Sequence, residues 1–138
     1  MTFPRFRVAD PDATVLARYA NDRNFVAAAA KGNTVFYGGA LLDTELVRRI
    51  ARDAGVHIYC GTNDNLTAGN GIVSIHCNRP GVKLVRFPTA TDVVDLFGGK
   101  VLGRNVTEVK FPMRAFETRV LVTGDADGIL AALDDGGK

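Results

Sequence analysis

Apolar and polar side chains alternate in short runs through the second half of the chain: Ile72–Cys77, Lys83–Phe87, Thr91–Phe97, Val106–Phe111 and Thr118–Val122. A period of two is the signature of a strand with one buried face. Asn78-Arg79-Pro80-Gly81, Gly98-Gly99 and Pro112 separate the runs. Short strands recurring at roughly ten-residue intervals predict an antiparallel sandwich or barrel-like sheet. Ahead of them, Ala68-Gly69-Asn70-Gly71 carries a hairpin turn signal.

The first half mixes periods. Phe6-Arg7-Val8-Ala9 reads as a strand stopped at Asp10-Pro11, and Val15, Leu16 and Tyr19 are spaced for one buried face of a short helix capped by Asp12. The run Phe25–Ala30 holds four alanines, which favour helix by propensity. Yet Lys31-Gly32-Asn33 followed by Thr34–Tyr37 has the form of a turn between strands, so a hairpin is expected there. The clearest element is a helix over Thr44–Ala54. Asp43 is placed to cap it, Leu46, Val47 and Ile50 line one face, and Gly55 supplies a left-handed exit. Val56–Tyr59 then predicts another strand. Thr34–Tyr59 has the length of a right-handed parallel crossover, with the helix packing on the two strands.

The expected fold class is therefore α+β: a short strand–helix–strand N-terminal half followed by an antiparallel β-sandwich-like C-terminal half. The segments fall at 1–59, 60–125 and a tail 126–138, with a weak helical turn through Ile129, Leu130 and Leu133.

With 46% hydrophobic and 23% charged residues the chain is globular rather than disordered. A net charge of +2, with scattered basic residues, gives no nucleic-acid footprint. No apolar run is long enough for a transmembrane helix, and Met1–Arg7 lacks the apolar core of a signal peptide. Cys60 and Cys77 match no zinc pattern and are expected as reduced thiols of a cytoplasmic protein.

Candidate chemistry is sparse. Ser74 and His76 share one strand face, and with Asp92 or Asp95 they imitate a nucleophilic triad. No strained elbow or oxyanion loop accompanies them, so a plain strand with Val73, Ile75 and Cys77 inward is the stronger reading. His57, His76 and Asp64 are the residue types of a metal site, but hydrogen-bonded structural histidines fit better. Asp92, Asp95, Glu108 and Glu117 are the candidates for the paired carboxylates of a glycosidase, and solvated strand-end acids are the simpler account. Gly38-Gly39 lies between a strand and a helix, where phosphate loops occur, without a nucleotide-binding pattern. No cofactor is expected. The amide-rich loop residues Asn63, Asp64, Asn65 and Asn70 are suited to hydrogen-bonding sugar hydroxyls.

The stretch Thr34–Leu42, continued by Glu45–Tyr59, resembles a segment of β-galactosidase-like glycoside hydrolases. Ile72–His76, Lys83–Pro88, Asp92–Gly99 and Glu117–Arg119 fit its sequel, so the resemblance spans residues 6–122. In such proteins the segment ends a Rossmann-like domain related to glutamine amidotransferases and leads into a small C-terminal β-sandwich. Residues 1–59 would then be a partial Rossmann-like segment. The barrel domain that holds the two catalytic glutamates has no counterpart here, so no catalytic residue is carried over. Cys60 and the asparagine-rich loop 63–70 depart from the pattern. The resemblance implies a non-catalytic accessory or assembly module, forming a homo-oligomer or docking on a missing catalytic domain through its N-terminal half. The rivals are a small carbohydrate-binding module and a stand-alone hydrolase using Ser74 and His76.

Overall fold

A computed structural model describes residues 6–39 and 42–135. The chain divides into two compact units, residues 1–50 and 51–138. Strands dominate, in two sheets accompanied by two helices, which is a β-rich α+β composition.

The first unit contains a three-stranded antiparallel sheet, β1 (Thr14–Tyr19), β2 (Asp22–Lys31) and β3 (Thr34–Tyr37), in that order. The short helix expected over Val15–Tyr19 is thus a strand. A two-residue turn at Ala20-Asn21 sends it back along β2. The hairpin between Phe25–Ala30 and Thr34–Tyr37 forms as expected. The alanine run escapes its helix propensity because β2 is the middle strand: Ala28 faces Tyr37, and Ala29 lies between Val15 and Phe36. Large neighbours cover the small side chains, and Ala27, Ala28 and Ala29 are the buried apolar residues of this unit among the described residues. Phe6–Ala9 forms no strand, although the Val8 amide donates to the Val26 carbonyl. Gly38 has no room for a side chain, since a Cβ would stand 2.4 Å from the Phe6 carbonyl oxygen. Close backbone approach, rather than a phosphate loop, explains that glycine.

Helix α1 (Thr44–Asp53) follows, and the boundary between the units falls within it. The Asp43 carboxylate accepts from the Leu46 amide at 3.0 Å, and Gly55 exits at φ 72°, as the sequence implied. The expected packing does not occur: none of its side chains is buried. The parallel crossover is also absent, because Val56–Tyr59 forms no strand and the chain continues as an extended link that meets the second sheet through a bridge from Cys60 to Val85 and a hydrogen bond from the Arg86 amide to the Tyr59 carbonyl. The N-terminal half is an antiparallel meander plus a helix, not strand–helix–strand.

The second unit holds a five-stranded antiparallel sheet, ordered β4 (Asn65–Gly69), β5 (Ile72–His76), β8 (Thr118–Thr123), β6 (Gly81–Asp95) and β7 (Lys100–Met113). Asn70-Gly71 joins β4 to β5 as a two-residue turn with both φ values positive, the geometry that the sequence signal demands. Two predicted runs, Lys83–Phe87 and Thr91–Phe97, merge into one long strand. Its pairing with β7 slips between Arg86 and Thr91, where Pro88 has no amide to donate. The first half of β6 pairs with β7 alone, while Val93–Asp95 pairs with β8 as well. Val73, Ile75, Cys77, Val85, Phe87, Val93, Val109, Phe111, Met113 and Leu121 form one core. Each large aliphatic side chain buried there contributes about 1.5–3 kcal/mol. Helix α2 (Ala126–Asp135) replaces the weak C-terminal turn that was expected. Asp125 caps it, its carboxylate accepting from the Asp127 and Gly128 amides.

Candidate functional site

One charged cluster on the second unit surrounds Arg119 on β8. Its Nε donates to Glu117 Oε1 at 2.8 Å, its Nη1 donates to Asp95 Oδ2 at 3.2 Å, and its guanidinium lies 5.1 Å from the Phe111 ring centre. Glu117 and Arg119 project together because they are two apart on one strand. Asp95 arrives from the end of β6, whose pairing with β8 sets Asp95 opposite Leu121. The other Asp95 oxygen accepts the Gly98 amide, closing the β6–β7 turn. Glu117 Oε2 accepts the Arg114 amide at 2.7 Å, closing the β7–β8 loop.

Two shallow depressions flank this cluster and share Glu117 and Arg119 as walls. One, of about 490 Å³, also includes Pro112, Met113 and Arg114. The other, of about 310 Å³, also includes Asp95, Phe97 and Lys100. The cluster unites two of the four candidate carboxylates. A glycosidase needs one of its pair to keep a proton, which requires a raised pKa. Here the Arg114 amide and then the Arg119 guanidinium hold the Glu117 carboxyl below its ordinary range. Both carboxylates are ion-paired to the one Arg119 guanidinium.

The other two carboxylates lie elsewhere. Asp92 accepts the Asn105 amide at 2.8 Å and the Ala126 amide at 3.4 Å, pinning a bend of β7 to the start of α2. Glu108 pairs with Arg86 and Lys110 on the exposed face of the β6–β7 ribbon.

The amide-rich set is divided. Asp64 is committed inward: its carboxylate meets Lys83 Nζ at 2.6 Å, accepts the Thr62 hydroxyl and accepts the Asn78 amide at 2.8 Å. Burial pushes this carboxyl up, but the Lys83, Thr62 and Asn78 hydrogen bonds outweigh it and hold the pKa at about 2. Asn63 contributes its carbonyl to the Asn78 side chain. Asn65 opens β4 at one end of that strand, and Asn70 is exposed in the turn beyond its other end. Four residues separate them, a span of about 16 Å for five steps at about 3.3 Å each. Asn70 therefore lies apart from Asn63, Asp64 and Asn65.

Ser74 and His76 lie on the outer face of β5, as their alternation with the buried Val73, Ile75 and Cys77 requires. His76 Nδ1 is 2.8 Å from the Thr118 hydroxyl, its cross-strand neighbour, and no hydrogen bond joins it to Ser74. His57 Nε2 donates to the Arg86 carbonyl at 3.0 Å and packs edge-on against Tyr59. No group of three or more metal-ligating side chains occurs among the described residues.

Sequence reasoning passed over Lys83, Arg114 and Arg119. The alternation Lys83, Val85, Phe87 already put Lys83 on the inner face, and the Glu117-x-Arg119 spacing already paired those two on one side of a strand. No protein family, curated protein or solved structure matches this chain.

Proposed function

We propose that this chain is a non-catalytic accessory or assembly module of a glycoside-hydrolase-like protein. The observation that carries this reading is the Arg119 network: the carboxylates that come together, Asp95 and Glu117, are both engaged by one guanidinium. The resemblance of residues 6–122 to the C-terminal region of β-galactosidase-like enzymes supplies the context. On that reading the five-stranded sheet would correspond to the small β-sandwich of that architecture, and a barrel outside residues 1–138 would hold the chemistry.

The first unit supports an assembly role. Its buried apolar residues among those described are three alanines, while Phe6, Val15, Val35, Phe36, Leu42 and Val47 are exposed. A three-stranded sheet with so little core gains most of its stability from a partner. That partner is a second copy of the chain or the missing catalytic domain. The unpaired thiols Cys60 and Cys77 fit a cytoplasmic setting. Among the described residues no helix is long and apolar enough to cross a membrane.

Two measurements on the full chain test this reading. Chromogenic galactosides and glucosides should show no turnover, and hydrolysis that survives purification would end the non-catalytic reading. Sedimentation over a wide concentration range should show self-association, and a single monomeric species throughout would remove the homo-oligomer arm. Saturable heat on titrating galactosides would favour the carbohydrate-binding rival.

A further inference from the structure

The shielded Asp64–Lys83 pair of the second unit has a thiol against it that the assembly reading does not use. Cys77 is wholly buried. Its thiol and the Lys83 ammonium donate to one and the same oxygen, the Arg79 carbonyl, at 2.9 Å and 2.8 Å. The two groups also meet directly. Burial lowers the Lys83 pKa, but hydrogen bonds to Asp64 and then to Cys77 hold it above its ordinary value.

Backbone contacts fix both partners. The Cys77 amide donates to the Glu117 carbonyl at 2.8 Å. The Cys77 carbonyl accepts the amide of Phe116, which sits in the β7–β8 loop at a left-handed φ of 64°. Lys83 comes from β6, two residues before the buried Val85 and on the same inner face. The other thiol is placed differently. Cys60 Sγ lies 3.0 Å from the Thr62 hydroxyl, which donates to Asp64, so Cys60 faces the acid end of the pair.

We propose that Cys77 and Lys83 are the two halves of a redox-controlled crosslink, in which dioxygen places one oxygen atom between Sγ and Nζ. The ammonium first passes its extra proton to the Asp64 carboxylate, 2.6 Å away. The thiol S–H bond and one amine N–H bond break, and S–O and O–N bonds form. The second oxygen atom leaves as water with those two hydrogens. Sulfur and nitrogen each give up two electrons, and dioxygen takes all four. Both charges of the pair disappear in the same step, so no buried charge is left without a partner. Nζ and Sγ already flank one oxygen atom, and a bridging oxygen asks less approach of them than a direct S–N bond. Dioxygen is small and apolar, so a core closed to bulky reagents admits it. Sulfur stops at the sulfenic level, which thiol reductants reverse. The crosslink exchanges an ion pair for a covalent tie between the end of β5 and the start of β6, and it does not depend on the assembly role.

High-resolution intact mass of the full chain tests this, comparing protein aged in air-saturated buffer with protein kept in dithiothreitol. The expected shift is one oxygen atom gained and two hydrogens lost, reversed by dithiothreitol, with fragment spectra joining Cys77 to Lys83. Cys60→Ser should keep the shift, and Cys77→Ser should abolish it. Lys83→Met alone strips Asp64 of its cation, so the nitrogen is tested in two other ways. Lys83→Met combined with Asp64→Asn and, separately, Lys83→Arg should each lose the shift. An unchanged mass overturns the proposal. So does loss of two hydrogens alone, which marks a disulfide or a direct S–N bond, and so does gain of whole oxygen atoms, which marks a sulfur acid. A shift that survives Cys77→Ser or either Lys83 variant, or one that Cys60→Ser removes, overturns it equally.

Discussion

The Lys83 ammonium lies 2.6 Å from the Asp64 carboxylate, with side-chain exposures of 4% and 2%. Lys83 also donates to the Arg79 carbonyl at 2.8 Å, so the loop before β6 closes over the pair. Removing one partner of a shielded pair leaves an uncompensated charge and costs about 3–5 kcal/mol. Lys83→Met should reach that range. Asp64→Asn combined with Lys83→Met should recover most of it, because asparagine still accepts the Asn78 amide. A double-mutant cycle by denaturation measures the difference, and a Lys83→Met cost below about 1 kcal/mol would show the pair to be solvated.

The same pair sets a pH dependence. The folded Asp64 carboxyl titrates at about 2, below its ordinary 3.8. A depressed carboxylate stabilises the fold fully above its unfolded value, and that contribution disappears as pH falls through the folded one. About 2 kcal/mol should be lost between pH 4 and pH 2. The Lys83 ammonium is held above its ordinary 10.5: burial lowers it, but hydrogen bonding to Asp64 and Cys77 prevails. Its contribution is complete below that value and disappears as pH rises through the folded one. Urea midpoints measured across pH should fall at both ends, and Asp64→Asn should flatten the acid limb.

Ile75 on β5 is fully buried, whereas Ile50 on α1 belongs to a helix with no buried residue. Ile75→Ala should cost about 2–5 kcal/mol through lost transfer energy and the cavity left behind. Ile50→Ala should cost much less. Guanidinium denaturation of the two variants would contradict this assignment if it ranked them equally.

Helix α1 shows what was legible in the sequence. Its cap at Asp43, its exit at Gly55 and its apolar stripe are local signals, and the helix formed where they place it. What the stripe packs on is not a local property, and the expected strand partners did not assemble around it. The β-rich half was legible because period-two runs and turn residues agree. Strand β4 escaped notice, since Asn65-Leu66-Thr67 has the composition of a loop and becomes a strand only by pairing with β5. At the candidate site, alternation placed Ser74 and His76 outward correctly. The meeting of Asp95 with Glu117 depends on β8 entering beside β6, a long-range pairing that no spacing announces.

Phe116 carries its own stability prediction. A left-handed L-residue is strained by about 1–2 kcal/mol, and glycine in exchange adds about 0.5–1 kcal/mol of unfolded-state entropy. Phe116→Gly should therefore be neutral or stabilising by up to about 1 kcal/mol, despite deleting a whole ring. Phe111→Ala, in the core, should cost about 3–5 kcal/mol. Thermal melts of the pair would refute this if Phe116→Gly proved the more damaging.

The two thiols should differ in reactivity. Cys77 is wholly buried and donates to the Arg79 carbonyl at 2.9 Å, while Cys60 is partly exposed beside the Thr62 hydroxyl. Brief alkylation of the native protein should modify Cys60 first and Cys77 only after denaturant is added. Mass spectrometry showing equal labelling before denaturation would mean that this end of the core opens readily.

The strand order β4-β5-β8-β6-β7 has a consequence for the order of events during synthesis. Hairpins β4–β5 and β6–β7 leave the ribosome complete, each with one apolar face and no strand pairing between them. The strand that joins them is the last to be made and takes the central place between them. Until Thr123 has emerged, the nascent chain carries two half-sheets with open inner edges, the kind of species that aggregates or recruits chaperones. A ribosome-stalled chain ending before Thr118 should be digested by protease across residues 65–113, and one extended beyond Asp135 should resist.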